Sequence, residues 1–273
     1  MDTRTAHTLS KLNNHFYAEQ TGSFSRTRRS PWQGWVRLAD LIRETWGEED
    51  SRLTGGSPLT VLDVACGNLR FERFLQDEFP HADIQVVAMD ACAPLVPQME
   101  GVQFVQVDIV EDAIDSALDG SSHTLMEKAR QTLHDRLFDL VVCFGFFHHV
   151  PGEVPRAYLL QTLLAFARGD AISAVSLWRY MDDEGFAAKT LALQKQAFVD
   201  LALQGFGIDL GQFDEGDHLL GWQNKSGVYR YCHSFSDGEI ARLIRFSHVN
   251  EGHVVRYRSD GRSSASNEYV VVR

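Results

Sequence analysis

The stretch Leu59-Thr-Val-Leu-Asp-Val-Ala-Cys-Gly-Asn-Leu-Arg70 decides the fold of this chain of 273 residues. It begins as an apolar run, ends that run at Asp63, and continues through small residues into a helix-like segment. A turn of small residues between a strand and a helix lets backbone N–H groups approach a ligand closely. The stretch therefore predicts the first strand, turn and helix of a nucleotide-type cofactor fold.

Further apolar runs follow at the spacing of an alternating α/β chain. The predicted elements are strands at about 59–65, 84–89, 102–107, 138–144 and 171–177, with helices near 70–79 and 153–168. β-Branched runs of this kind are typical of parallel sheets covered on both faces. Two late runs, 253–257 and 268–272, flank a Ser-Asp-Gly-Arg turn and predict a closing antiparallel hairpin. We therefore predict an α/β fold, a Rossmann-like doubly wound sheet of about seven strands, mostly parallel, with N-terminal helices.

A single domain is predicted over 1–273, because the segments around the sheet are too small for cores of their own. Segment 1–46 has helical periodicity and would cap the cofactor side. The remaining parts are a cofactor-binding core at 55–180, a substrate-side insertion at 181–235, and the last helix with the closing hairpin at 236–273. A polar surface insertion is predicted at 111–136, with no role assigned.

Acidic residues stand at the predicted carboxyl ends of three successive strands, at Asp63, Asp90 and Asp108. Ligands of an open α/β sheet bind beyond these ends, so we expect the three carboxylates to share one site. Asp63 would orient the turn or hold a cationic amino group, directly or through water. Asp90 would bind the two ribose hydroxyls, and Asp108 the exocyclic amine of adenine. The neighbouring positions expected to line the same site are Ala65, Cys66, Gly67, Ala91, Ile109 and Phe144.

These groups suit S-adenosylmethionine as the cofactor. That molecule has a ribose, an adenine and an ammonium group but no pyrophosphate, so it does not need the G-x-G-x-x-G turn typical of NAD sites. The G-x-G-x-x-G motif is absent from this sequence. Of the glycines in the methyltransferase form Asp-x-Gly-x-Gly-x-Gly only Gly67 remains, with Ala65 and Leu69 at the other two positions.

Composition and charge exclude several classes of protein. No apolar run approaches the roughly 20 residues that cross a bilayer, and no signal-peptide pattern is present. The four cysteines form neither a disulfide framework nor a zinc spacing, so we predict a cytoplasmic protein with reduced thiols, no metal and no membrane contact. The formal net charge of −11 repels nucleic acid, so RNA would need a local basic patch such as Arg26, Arg28 and Arg29.

Three short segments outside the cofactor motif carry a narrower pattern. They are Phe24-Ser-Arg-Thr-Arg-Arg-Ser-Pro-Trp32, His148-His149 and Arg230-Tyr-Cys-His-Ser-Phe235. Over 55–180 the chain resembles a class I S-adenosylmethionine-dependent methyltransferase, and the three segments are similar to those of the tRNA wobble-uridine carboxymethyl methyltransferases. The chain departs from that family at Cys232, where the family has tyrosine.

The resemblance implies methyl transfer to a carboxylate on a modified wobble uridine in a tRNA anticodon loop. It implies that Arg28 binds a carboxylate of cofactor or substrate, and it places a catalytic group at His149, Arg230, Tyr231 and His233. A carboxylate is ionised at neutral pH and needs no strong base, so these groups would hold and align it. Eukaryotic members of the family work with a small zinc-binding partner protein, which makes such a partner an open expectation here.

Two alternatives stay open. A methyltransferase for a small-molecule substrate agrees with the acidic charge, and a catalytically silent subunit that binds a partner protein agrees with the loss of glycines from the turn. At the level of residues, Tyr231 and His233 fit packing roles as well as catalytic ones. The His148-His149 pair fits a helix cap as well as a substrate contact.

Overall fold

The structure is a computed structural model. It describes residues 1–26, 30–118, 120, 123–223, 225–261 and 265–273, without the side chains of Phe24 and Leu118. Arg28, expected to bind a carboxylate, lies outside the described residues. Within them, no helix combines the length and the apolar character that a membrane span requires.

The described residues contain nine strands, which form two sheets. Their bounds are β1 Pro58–Val64, β2 Asp83–Asp90, β3 Val102–Gln106, β4 Phe138–Cys143, β5 Ala167–Trp178, β6 Asp217–Trp222, β7 Lys225–His233, β8 Val254–Ser259 and β9 Asn267–Val272. Seven of them form one sheet in the order β3-β2-β1-β4-β5-β9-β8, in which β9 runs antiparallel to β5 and β8 and the other pairs are parallel. The predicted doubly wound sheet with its closing hairpin is confirmed. The separate hairpin of β6 and β7 is not foreseen by the sequence patterns.

The helices cover both faces of the large sheet. Their bounds are α1 Thr3–Arg26, α2 Gln33–Trp46, α3 Ser51–Thr54, α4 Arg70–Glu78, α5 Ile109–Leu118, α6 His123–Leu133, α7 Glu153–Ala165, α8 Glu184–Leu203 and α9 Asp237–Phe246. Successive strand residues point to opposite faces, so Val86 packs into the core on the α2 and α4 side while Val87 packs into the core on the α5 and α7 side. Two buried layers therefore fix the strand ends from both sides.

Segment 111–136, predicted to be a polar surface insertion, is instead largely helical and partly buried. It forms most of α5 and all of α6, and Leu125, Ala129 and Leu133 of α6 are buried in the main core. The segment is therefore part of the helical layer on the sheet, and only its outer face is a surface insertion.

Segment 181–235 packs against the N-terminal helix. Leu9 and Leu12 of α1 share a buried apolar cluster with Leu201 of α8 and with Tyr229 and Tyr231 of β7. α1 also contacts α5, which flanks the sheet. The first helix and the insertion are thereby joined across one edge of the domain, next to the carboxyl ends of β1, β2 and β4.

Candidate active site

A cavity of about 1450 Å³ lies at the carboxyl ends of the parallel strands. Its floor is formed by the turn after β1, the turn after β2 and the segment after β4, and α1 and α8 contribute walls. Pockets for single small ligands are commonly about 300–1,000 Å³. The cavity is therefore large enough for a nucleoside-type cofactor together with a second molecule.

The turn after β1 keeps a glycine-like backbone despite its substitutions. Ala65 has φ 64°, Gly67 has φ 57° and Leu69 has φ 54°, so all three positions where the methyltransferase motif has glycine are left-handed. Such a conformation costs a residue with a Cβ roughly 1–2 kcal/mol. The amides of Ala65 and Cys66 both donate to the carbonyl of Met89, at 2.7 and 3.1 Å, which binds the turn to the end of β2.

We predict that Ala65→Gly raises the free energy of unfolding by about 0.5–1 kcal/mol, because glycine adopts the left-handed backbone without strain. Urea unfolding of the ligand-free protein measures the change. The matched control is Ala192→Gly on the exposed face of α8, where the same exchange should lower stability by about 1 kcal/mol. A loss of stability at both positions would contradict the strain assigned to the turn.

Asp90 joins the two turns. Its Oδ2 accepts a hydrogen bond from the amide of Gly67 at 2.9 Å, and its Oδ1 accepts one from the amide of Cys92 at 2.8 Å. Burial raises the pKa of this carboxyl group, and the two backbone hydrogen bonds act against that rise. Each carboxylate oxygen keeps a lone pair for a further donor. The neighbouring Ala91 also lines the cavity.

Asp108 holds α5 and α1 together. Its Oδ1 accepts hydrogen bonds from the amides of Val110 and Glu111, at 3.2 and 3.3 Å, which caps the start of α5. Its Oδ2 accepts a hydrogen bond from Asn14 Nδ2 of α1 at 2.6 Å. Asp108 and the adjacent Ile109 both line the cavity, as expected from the sequence.

Asp63 lies against a second carboxyl group that the sequence patterns do not reveal. Asp63 is 3% exposed and Glu72 of α4 is 1% exposed, and the two side chains are within hydrogen-bonding reach. Neither Glu72 oxygen accepts a hydrogen bond from an N–H or O–H group of the described residues. Burial raises the pKa of Asp63 well above its usual range, and the charges of Glu72 and Asp90 raise it further. Burial also raises the pKa of Glu72.

Arg230 of β7 brings a buried positive charge to the other side of the cavity. It is 5% exposed, and its guanidinium lies over the rings of Phe16, Trp178 and Trp222 at 5.4, 5.8 and 5.3 Å. Its Nη1 donates to the hydroxyl of Tyr17 at 3.3 Å, and its Nε has no acceptor among the described residues. No carboxylate of the described residues forms an ion pair with Arg230.

Tyr17 and His149 form a polar pair beside Arg230. The Tyr17 hydroxyl lies 2.7 Å from His149 Nε2, and His149 Nδ1 lies 3.0 Å from the carbonyl oxygen of Tyr231. In the tautomer that carries its proton on Nδ1, His149 donates to this carbonyl and accepts from the tyrosine hydroxyl at Nε2, while Asn13 Nδ2 also lies 3.3 Å from Nδ1. Asn13 fixes this arrangement, since its Oδ1 accepts from the Tyr231 amide at 2.8 Å and its Nδ2 donates to the Tyr231 carbonyl at 3.2 Å.

Three polar residues of α1 therefore belong to the site although they were not predicted from the sequence. Asn13, Asn14 and Tyr17 lie at relative positions 0, 1 and 4, so they share one face of the helix. The signal available in the sequence is that Asn13 adjoins the apolar stripe of Leu9, Leu12 and Phe16. Asn13 is buried with that stripe, and a buried polar group needs partners, which here are site residues.

His148, His149 and Cys232 are the one group of metal-ligand spacing within the described parts of the chain. One ligand atom of each lies within 4.8 Å of the others, and all three residues are buried. Burial raises the pKa of the Cys232 thiol to about 12, against the opposing charge of Arg230. Both ring nitrogens of His149 already face the hydrogen-bonding groups of Tyr17 and Tyr231. His148 and His149 line the cavity, and Cys232 lies behind them with its Sγ 3.7 Å from His149 Nδ1.

Tyr231 and His233 are not brought to the cavity. The Tyr231 hydroxyl donates to Asp217 at 2.6 Å, and the ring nitrogens of His233 contact Asp217 at 2.7 Å and Glu239 at 2.6 Å. Arg156 donates to the other oxygen of Glu239 at 2.8 Å. Burial raises the pKa of both carboxyl groups, but the partners outweigh it, so both pKa values are lowered. This buried network agrees with the packing alternative, and Tyr231 reaches the site only through its backbone.

The cavity collects most of the residues predicted for it. The predicted positions that line it are Asp63, Ala65, Cys66, Gly67, Asp90, Ala91, Asp108, Ile109, Phe144, His149 and Arg230. The groups that surround it fit S-adenosylmethionine, because Asp90 has free acceptor positions and no positive group of the described residues forms an ion pair with Asp63 or Glu72. A Cβ added at Gly67 would meet no atom within 4 Å, so the floor of the turn is open.

No family model and no curated protein matches the chain. Among solved structures it is similar to one described as "DhpI-SAM-HEP complex", at 15% identity over 98% of this chain and 99% of that chain, with a TM-score of 0.56. It is also similar to a "DhpI-SAH complex structure", at 16% identity over 98% of each chain, with a TM-score of 0.51. A structure described as a putative O-methyltransferase from Nostoc punctiforme PCC 73102 is 12% identical over 94% of this chain and 59% of that chain, with a TM-score of 0.51. At these identities the likeness is one of fold, and the chain has the fold of the class I S-adenosylmethionine-dependent methyltransferases.

Proposed function

We propose that this protein is an S-adenosylmethionine-dependent methyltransferase that methylates a carboxylate oxygen of a small molecule. The observation that carries the proposal is Arg230, a buried cation without a carboxylate partner in the described residues, on the wall of the cavity that Asp63 and Asp90 line. A buried charge left without a partner is costly, so a cavity built around one is complementary to an anionic ligand. The bound molecules named for the DhpI structures and the description of the Nostoc protein support the same class of reaction.

The cofactor is assigned to the acidic floor. Asp90 would accept hydrogen bonds from the two ribose hydroxyls, Asp63 would hold the ammonium group, and Asp108 with Ile109 would hold the adenine. When bound, S-adenosylmethionine supplies an electrophilic methyl group on a positively charged sulfur. The acidic floor thus favours the cationic methyl donor, and the positive charge of Arg230 favours an anionic methyl acceptor.

The acceptor is assigned to the opposite wall. Arg230 would donate to one carboxylate oxygen, the Tyr17 oxygen would hold the guanidinium in place by accepting from its Nη1, and the other carboxylate oxygen would remain available as the methyl acceptor. Phe144, Phe146 and Trp178 line the cavity and keep water from the reacting atoms. Because a carboxylate is already ionised at neutral pH, alignment and exclusion of water suffice and no proton needs to be removed.

We predict a flat dependence of kcat on pH above about pH 6, well above a carboxylate pKa of about 4. His149→Asn should lower kcat only modestly without changing that profile, because the histidine acts by position. Tyr17→Phe is the companion variant, since it removes the hydroxyl that contacts His149. A steep limb near pH 6.5 that disappears in His149→Asn would show instead that a hydroxyl or amine acceptor loses its proton to this pair.

A wobble uridine of tRNA is the second candidate acceptor. The observation in its favour is that two of the family-like segments, at His149 and Arg230, meet at one cavity. Against it stand the net charge of −11 and the position of Tyr231 and His233 outside the cavity. A small partner protein belongs to this candidate and has no independent support, and a catalytically silent subunit is disfavoured by the intact acidic floor.

The deciding experiment offers methyl-labelled S-adenosylmethionine with two acceptor pools, a small-molecule filtrate of a cell extract and bulk tRNA. We expect label in the filtrate. Label in tRNA alone would replace the small-molecule assignment by the wobble uridine. Calorimetric binding of S-adenosylmethionine with label in neither pool would favour the silent subunit.

A further inference from the structure

The carboxyl groups of Asp63 and Glu72 are placed together by the first strand, turn and helix of the fold. Asp63 is the penultimate residue of β1, and Glu72 is the third residue of α4. Asp63 lines the cavity, whereas Glu72 lies behind it at 1% exposure, with both oxygens unpartnered among the described residues. A buried acid without a donor is unusual, since such groups are nearly always hydrogen-bonded.

We propose that Asp63 and Glu72 form one cation-binding unit that shares a single proton in the cofactor-free protein and releases it when the ammonium group of S-adenosylmethionine binds. The inference rests on the proposed cofactor and deepens it, because it gives Glu72 a role in cofactor binding. Glu72 acts as a positioning residue, since it reaches the cofactor only through Asp63.

The surroundings of the pair explain why one proton is held. Two carboxylates in contact cannot both ionise cheaply, and a hydrogen bond between them requires one proton. The groups that act on the pair are Asp90 from β2, the thiols Cys66 and Cys143, and Arg73 from α4. Among the described residues that act on the pair, only Arg73 is positive, and it is exposed. Arg70, which also lines the cavity, lies over the rings of Trp32 and Trp35 at 4.8 Å.

Binding of the ammonium group changes this balance. With one shared proton the pair carries one negative charge, and without it the pair carries two. A cation beside Asp63 favours the doubly charged form, so the proton leaves to solvent and no covalent bond forms or breaks apart from that O–H. The affinity for the cofactor should therefore rise with pH, because proton release accompanies binding.

Calorimetry in two buffers of different ionisation enthalpy counts the protons released, at about pH 6.5, below the range near 7.7 where an α-amino group titrates. We expect up to about one proton per bound S-adenosylmethionine. S-Adenosylhomocysteine keeps the ammonium group and should release the same number, whereas 5′-methylthioadenosine lacks it and should release none. This comparison of three ligands uses the unmodified protein and does not depend on any variant.

Glu72→Gln supplies the second test. The glutamine amide can donate to an ionised Asp63, so proton release should fall to near zero and the affinity should lose its pH dependence. The cofactor-free variant should also melt at a higher temperature than the unmodified protein, because one buried acid is gone. Asp77→Asn, at an exposed acid of the same helix, should change none of these quantities.

The outcomes separate the two proposals. If S-adenosylmethionine does not bind the unmodified protein, the proposed function fails. If it binds without releasing a proton, or if 5′-methylthioadenosine releases as many protons as S-adenosylmethionine, only the shared-proton unit is refuted. A folded Glu72→Gln protein with undiminished proton release would refute it as well.

Discussion

Arg230→Met will remove most of the methyl transfer and leave the affinity for S-adenosylmethionine unchanged. Losing one side of a buried charge pair costs about 2–5 kcal/mol, and 1.4 kcal/mol is a factor of ten, so kcat/KM should fall about 30- to 4,000-fold. Methionine preserves the apolar contacts with Phe16 and Trp222 while removing a buried cation that no carboxylate of the described residues pairs with. The variant should therefore be at least as stable as the unmodified protein, so the loss is one of function.

The matched control for this prediction is Arg156→Met. Arg156 is also buried, but it donates to Glu239 at 2.8 Å and to the carbonyl of Val150 at 2.9 Å. Breaking such a pair typically costs about 3–5 kcal/mol of stability, so this variant should be markedly less stable. Urea unfolding and initial rates on the same acceptor measure both variants. A folded Arg230→Met protein with full turnover would contradict the anion site.

Asp90→Ala will weaken binding of S-adenosylmethionine at least about tenfold. Hydrogen bonds to a charged group are worth about 1.5–3 kcal/mol each, and the substitution removes those to the ribose. It also leaves the amides of Gly67 and Cys92 without their acceptor, which loosens both turns. Titration calorimetry measures the affinity. Asp83→Ala, at the opposite end of β2, is the control and should bind as the unmodified protein does.

Unchanged affinity in folded Asp90→Ala would refute the ribose assignment. In that case the acids at the strand ends would only hold the turns together, and the cofactor assignment would lose its most specific contact.

The arrangement of the acidic floor could be predicted from the sequence because parallel topology determines it. The carboxyl ends of β1, β2 and β4 lie at one edge of the sheet, so Asp63 and Asp90 had to be near each other once the strands were recognised. The left-handed turn at Ala65 and Leu69 was harder to predict. Propensity favours glycine at those positions, whereas Leu69, fully buried, is held by packing.

The opposite wall could be predicted only in part, because its contacts join distant segments. Tyr17 meets His149 over a separation of 132 residues, and although the apolar spacing of α1 predicts a helix, nothing in the local sequence indicates which distant segment its polar residues contact. Glu72 in the first turn of α4 resembles an ordinary acid that complements the helix dipole, and its burial depends on the sheet beneath it.

The Arg230–His233 segment shows why a motif does not identify a site by adjacency. The segment is part of strand β7, where successive side chains point to opposite faces. Arg230 and Cys232 therefore face the cavity wall at His149, while Tyr231 and His233 face the network with Asp217. Had the strand been recognised, the alternation would have placed the side chains of Tyr231 and His233 on the face away from the cavity.

The most direct measurement of the central claim is the alkali lability of the transferred methyl group. The product made with methyl-labelled S-adenosylmethionine and the small-molecule acceptor is treated with mild alkali, and volatile methanol is collected. A methyl ester is cleaved by hydroxide at its carbonyl carbon and releases methanol, so we predict that the label becomes volatile. Label that stays non-volatile would show a methyl ether or amine and would contradict methylation of a carboxylate.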